Sequence, residues 1–119
     1  MAATSTITSR GALRDIDPEV LARLRAALLA DRAPQAELVR TNEVTAESLT
    51  GQRDVDSILE REIAEVSAIH AREAIEDIDA ALAKMAGGTY GVCESCDSPI
   101  PVERLEAIPH ARTCVTCSR

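Results

Sequence analysis

Four cysteines stand near the end of this chain in two pairs, Cys93-x2-Cys96 and Cys114-x2-Cys117, with seventeen residues between the pairs. No other feature constrains the fold as much. Two residues between thiols let a tight turn aim both sulfurs at one point, and the intervening segment can bring a second such turn to the same point. Four thiolates around one ion leave no open coordination position, so the expected occupant is a single structural Zn2+ rather than a catalytic metal. Binding of this kind contributes about 10–16 kcal/mol of apparent folding free energy. That is enough to order a segment whose apolar residues are few: Tyr90, Val92, Ile100, Val102, Leu105 and Ile108. Two disulfides would instead require an oxidising compartment. The opening "MAATSTITSR" has no apolar run to direct the chain there or to anchor it in a membrane. The expectation is a cytoplasmic protein with reduced thiols. His110 reads as an exposed loop histidine, because the cysteines already complete a tetrahedron.

The rest of the chain is patterned for helices. The 119 residues include no Trp or Phe, and Tyr90 is the only aromatic. Ala, Leu, Ile and Val must therefore carry the burial, which suits helix-on-helix packing and an elongated form better than a wide core. Residues 1–15, rich in Thr, Ser and Ala, read as a flexible N-terminal arm. Residues 16–86 read as an antiparallel two-helix coiled-coil hairpin with its tip near 45–56, and 87–119 as a four-cysteine finger, giving a mainly α chain.

Asp17 is a suitable N-cap, with Pro18 at the first helical position and Glu19 beside it. Leu21, Leu24 and Leu28 then recur at helical spacing. Pro34 is expected to kink the helix or end it near Ala33. Gly51 marks a break, and Asp54, Asp56 and Ser57 are all N-cap types for a second helix of roughly 30 residues, about 45 Å long. In that helix Leu59, Ile63, Val66 and His70 define one stripe, while Ile75, Ile78, Leu82 and Met85 define another, rotated by roughly a third of a turn. The first stripe is expected to face helix one, with His70 partly buried. The second is expected to meet the start of helix one and the cysteine segment. Gly87 or Gly88 is placed to end the helix in a left-handed cap.

Charge narrows the function. The formal net charge of −7 disfavours a role on nucleic acid, which needs clustered Lys and Arg. Between Cys93 and Arg119 the charges nearly balance, so there is no basic helix for a DNA groove and no sequence-specific DNA binding is expected. No nucleophile–base pair or open metal site suggests an enzyme. An acidic chain is better suited to a basic surface on another protein.

The stretch "GTYGVCESC…IPVERLEAIPHARTCVTC", following an acidic helical hairpin, resembles the DksA/TraR family of bacterial transcription regulators. The residues that carry the likeness are Gly88, Tyr90-Gly91, Cys93-Glu94-Ser95-Cys96, Ile100, Arg104-Leu105-Glu106-Ala107, Pro109 and Cys114-x2-Cys117. The resemblance implies a partner, RNA polymerase, bound without a DNA target. It also implies a hairpin entering the secondary channel and acidic tip residues approaching the catalytic centre. The family tip carries Asp-x-x-Asp-x-Ala, and here the stretch is "GQRDVDSI". Two registers are open, one matching Asp54 to the second Asp and the other Asp56, and neither restores the motif. Asp54 and Asp56 are the tip residues expected to face polymerase. Where some relatives bind guanosine tetraphosphate with basic residues, this chain has Asp77, Ile108 and Ser118, so alarmone binding there is not expected. The alternative reading is a zinc-stabilised interaction module with a partner other than polymerase.

Overall fold

The computed structural model describes residues 16–118, and the arm expected over residues 1–15 lies outside them. The described residues form three helices: α1 (Pro18–Ser48), α2 (Val55–Gly87) and the short α3 (Val102–Ala107). Their only β pairing is a single antiparallel bridge between Val92 and Pro99. Among the described residues no helix is long and apolar enough to cross a membrane. The chain forms two compact units, one from residues 16–29 and 77–118, the other from Ala30 to Glu76, and α1 and α2 each contribute to both.

Helix α1 begins as its sequence predicts. The Asp17 carboxylate accepts a hydrogen bond from the Glu19 N–H at 2.8 Å, and the Asp17 carbonyl accepts the first helical bond, from Leu21, at 2.9 Å. Of the two effects expected at Pro34, a kink or an end near Ala33, the end does not occur, and α1 continues through it to Ser48. Proline removes one helical donor, the one that would reach the carbonyl of Ala30. Both Ala30 and Pro34 are exposed, so water can take that carbonyl and the remaining ladder is kept.

In the first unit the core comprises Ile16, Leu24 and Leu28 from the start of α1, Ile78 and Ala81 from α2, and Tyr90, Cys93, Ile100 and Leu105 from the finger. Leu82 and Met85 pack against it, half-buried. Ile78, Leu82 and Met85 of the later stripe thus meet the start of α1 and the cysteine segment, as expected, whereas Ile75 belongs to the second unit. Leu28 and Leu105 are fully buried, and truncating either to Ala should cost about 2–5 kcal/mol.

The second unit departs from the sequence reading. Its buried side chains on α2 are Ala64, Ala68 and Ala71, each 3% exposed. Leu59, Ile63 and Val66, expected to face α1, are exposed, and so is His70, expected to be partly buried. The reason lies in the register. Ala64, Ala68, Ala71, Ile75, Ile78, Leu82 and Met85 follow one another at intervals of four and three, which makes a single coiled-coil seam along α2. There are not two faces. Val39, Asn42 and Ala46 recur at the same spacing on α1 and are half-buried. Arg72 on α2 pairs with Glu43 on α1 at the edge of this unit.

Residues 49–54 connect the helices. Gly51 takes φ 90°, a conformation that a side chain would strain, and the Gln52 N–H donates to the Leu49 carbonyl at 3.2 Å. Of the three cap candidates, Asp54 does the capping: its carboxylate accepts from the Ser57 N–H at 2.9 Å. Ser57 lies within the first turn and is not the cap.

Candidate metal centre

The end of α2 delivers the chain to the cysteines. Gly88 adopts φ 81°, the Thr89 N–H donates to the Lys84 carbonyl at 2.9 Å, and the Gly88 N–H donates to Met85 at 3.4 Å. This is the Schellman arrangement, and it stops the helix where a left-handed residue is needed. Tyr90 then turns inward and is 1% exposed. Its hydroxyl donates to the Pro109 carbonyl at 2.8 Å, so the single aromatic ring fills the base of the finger and ties its two halves together. Burial pushes the phenol up to about 12.

Each cysteine pair sits on a tight turn. In the first, the Cys93 N–H donates to the Ser98 carbonyl at 2.8 Å and the Asp97 N–H to the Cys93 carbonyl at 3.0 Å. Asp97 takes φ 63°, which Asp tolerates better than most side chains. In the second, the Ser118 N–H donates to the Cys114 carbonyl at 3.0 Å. The turns are joined by the Glu94 N–H, which donates to the Arg112 carbonyl at 2.9 Å, and Arg104 Nε on α3 donates to the Thr113 carbonyl at 3.1 Å.

The four Sγ atoms lie within 4.8 Å of one another, and none is in a disulfide. Cys96 Sγ and Cys114 Sγ are 3.7 Å apart. Sulfurs at the Zn–S distance of about 2.3 Å stand about 3.8 Å apart on a tetrahedron, so the observed separation suits one zinc. Electrostatics point the same way. Backbone donors, that of Cys114 first, hold the Cys93 thiol down to about 6, whereas hydrogen bonding to the neighbouring sulfurs of Cys114, Cys96 and Cys93 pushes Cys117 up to about 12. Four sulfurs gathered this closely resist full deprotonation until a cation compensates the charge. His110 is not in this cluster. It is half-buried rather than an exposed loop residue, and its Nδ1 has no hydrogen-bond partner.

An ionic chain, not foreseen from the sequence, fastens the finger to α2. Arg112 Nη1 lies 2.9 Å from Asp77 Oδ1, and Arg112 Nε lies 3.0 Å from Glu94 Oε2. Lys84 pairs with the same Glu94 oxygen. Lys84 and then Arg112 hold the Glu94 carboxyl below its usual range, and Glu94, then Asp77, raise Arg112. The one clue in the sequence is that Asp77 and Lys84 are seven residues apart and share a helix face. The fold alone reveals that both meet residues of the finger.

Asp54 and Asp56 lie in the other unit, at the start of α2, and both are exposed. Hydrogen bonding from Ser57, chiefly its backbone N–H, lowers the Asp54 carboxyl.

Comparison with known proteins agrees with this geometry. The model of the prokaryotic dksA/traR C4-type zinc finger matches residues 88–119. General stress protein 16O of Bacillus subtilis (strain 168) is 57% identical over 44 residues, which are 37% of this chain and 27% of that protein. An uncharacterised 8.2 kDa protein of Escherichia phage P2 is 50% identical over 40 residues, 34% of this chain and 54% of the phage protein. The chain thus aligns with about a quarter to a half of these relatives. Transcription factor DksA2 from Pseudomonas aeruginosa has a similar solved structure, with a TM-score of 0.73 and 23% identity, covering 86% of this chain and 82% of that one. The cysteine cluster is accordingly a structural zinc site, in a finger (residues 88–119) similar to the dksA/traR C4 type and carried on a DksA-like fold.

Proposed function

We propose that the protein is a non-enzymatic transcription regulator that binds RNA polymerase without a DNA sequence target, with Cys93, Cys96, Cys114 and Cys117 as its zinc ligands. The observation that carries this reading is the pairing of a DksA/TraR-type finger with a DksA-like arrangement of two long helices. In this reading the turn around Asp54 and Asp56 enters the secondary channel. Two exposed carboxylates there can act on bound magnesium or on basic catalytic loops. The zinc fixes the finger, and the Asp77–Arg112–Glu94–Lys84 chain sets its orientation on α2.

A second reading keeps the zinc-stabilised hairpin but gives it another protein partner. It is favoured by the tip, which lacks the family's Asp-x-x-Asp-x-Ala in either register. Pull-down with core polymerase, with the secondary channel open or blocked, separates the two. Binding that is lost on blocking supports the first reading, and no binding to core enzyme leaves the second. Guanosine tetraphosphate is not expected to bind through the family site, since Asp77 is engaged with Arg112 and Ile108 and Ser118 supply no charge. Micromolar affinity for the zinc-loaded protein would contradict this.

A further inference from the structure

In the second unit several large aliphatic side chains of α2 lie on the outside. The fully buried positions of α2 there are alanines, while Val55 is 69% exposed, Leu59 51%, Ile63 67%, Val66 51% and Ile69 49%. At about 100° per residue these five fall in one band roughly 120° wide, on the side of α2 opposite Ala64, Ala68 and Ala71. Over the fourteen steps from Val55 to Ile69 the band runs about 21 Å. Scattered exposed leucines are ordinary, but five aliphatic side chains gathered in one band on one helix face are not scattered, and apolar surface concentrated in this way is what interaction sites use.

The charge around the band is one-sided. Glu62 lies within it, Glu65 and Asp56 border it, and Glu73 follows one turn beyond Ile69 on the same face, all exposed. The two arginines of this stretch do not offset them: Arg61 is half-buried toward the seam, and Arg72 is paired with Glu43. From Asp54 to Glu76 there are seven acidic residues and two arginines.

We infer that the band Val55–Ile69 on the outer face of α2 is a docking surface for one amphipathic helix of a partner protein, with an aliphatic stripe and Lys or Arg along its flanks. Aliphatic residues at i, i+4 and i+7 are the anchors such a helix meets, and its cations neutralise the acidic border. A second copy of this chain fits poorly. Its border would set carboxylate against carboxylate. An anionic membrane surface is disfavoured by the same carboxylates. The inference goes beyond the polymerase reading, because it specifies the chemistry of a partner and holds whichever protein supplies that helix.

The test uses the zinc-loaded full chain and two synthetic helical peptides of equal length, with the same leucine stripe but either Lys or Glu flanks. Binding is followed by fluorescence anisotropy for the parent, for L59Q/I63Q/V66Q and for E62Q/E65Q/E73Q. Gln is a good helix former and these positions are exposed, so the melting temperature should be unchanged. The parent should bind the Lys peptide, and the Glu peptide at least about tenfold more weakly. Both variants should lose at least about tenfold toward the Lys peptide. Absence of binding by the parent, equal binding of the two peptides, or an apolar variant that binds as the parent does would overturn the inference. So would a parent that sediments as a dimer while L59Q/I63Q/V66Q is a monomer.

Discussion

Tyr90 joins local chemistry to the fold. It is the only aromatic residue in the chain, it is buried, and its hydroxyl holds Pro109. The folded state keeps the phenol neutral up to about 12, whereas an unfolded tyrosine ionises near 10. Its contribution to stability is therefore complete below about pH 10 and declines as the pH rises toward 12. With no tryptophan present, phenolate absorbance reports this residue alone. The midpoint should lie near 12 in the zinc-loaded protein and near 10 in denaturant; equal midpoints would mean that the ring is not buried. Tyr90→Phe should destabilise the finger by about 1–3 kcal/mol, because the buried Pro109 carbonyl loses its donor. Chemical denaturation of the zinc-loaded protein measures this.

The helices show where the sequence could be read and where it could not. The four-cysteine finger was legible because metal spacing is local: two residues between ligands dictate a turn. Asp17 and Gly88 were legible for the same reason, since a cap is decided within a few residues. The face of α2 was not, because the reading followed the largest side chains, Leu59, Ile63 and Val66, while burial follows the continuous seam that Ala64, Ala68 and Ala71 share with Ile75 and Ile78. Pro34 did not end its helix because a missing helical donor costs less on an exposed side than in a packed one. The Arg112 network joins residues far apart in sequence, so no local rule could find it. The seam assignment is checked by paired substitutions. Ala68→Leu should cost about 1–3 kcal/mol through overpacking, while Ile63→Gln should change stability by no more than about 0.5 kcal/mol. Thermal unfolding in which Ile63→Gln is the more damaging change would restore the original face.

In the molecule as a whole, holding and acting fall to different residues. The zinc and the core around Leu28, Tyr90 and Leu105 hold the finger, while Asp54 and Asp56 are the groups proposed to act. Asp54→Asn with Asp56→Asn should therefore leave polymerase affinity within about twofold, a difference of about 0.4 kcal/mol, yet change the effect on transcription in vitro. If the double variant regulates as the parent does, Asp54 is a helix cap and no more. The most direct measurement places a photocrosslinking amino acid at Gln52, beside Gly51 in the exposed turn, and illuminates the zinc-loaded protein bound to core RNA polymerase. The account predicts crosslinks to the catalytic subunit along the secondary channel. Crosslinks confined to the enzyme's outer surface, or no complex with core polymerase, would contradict it.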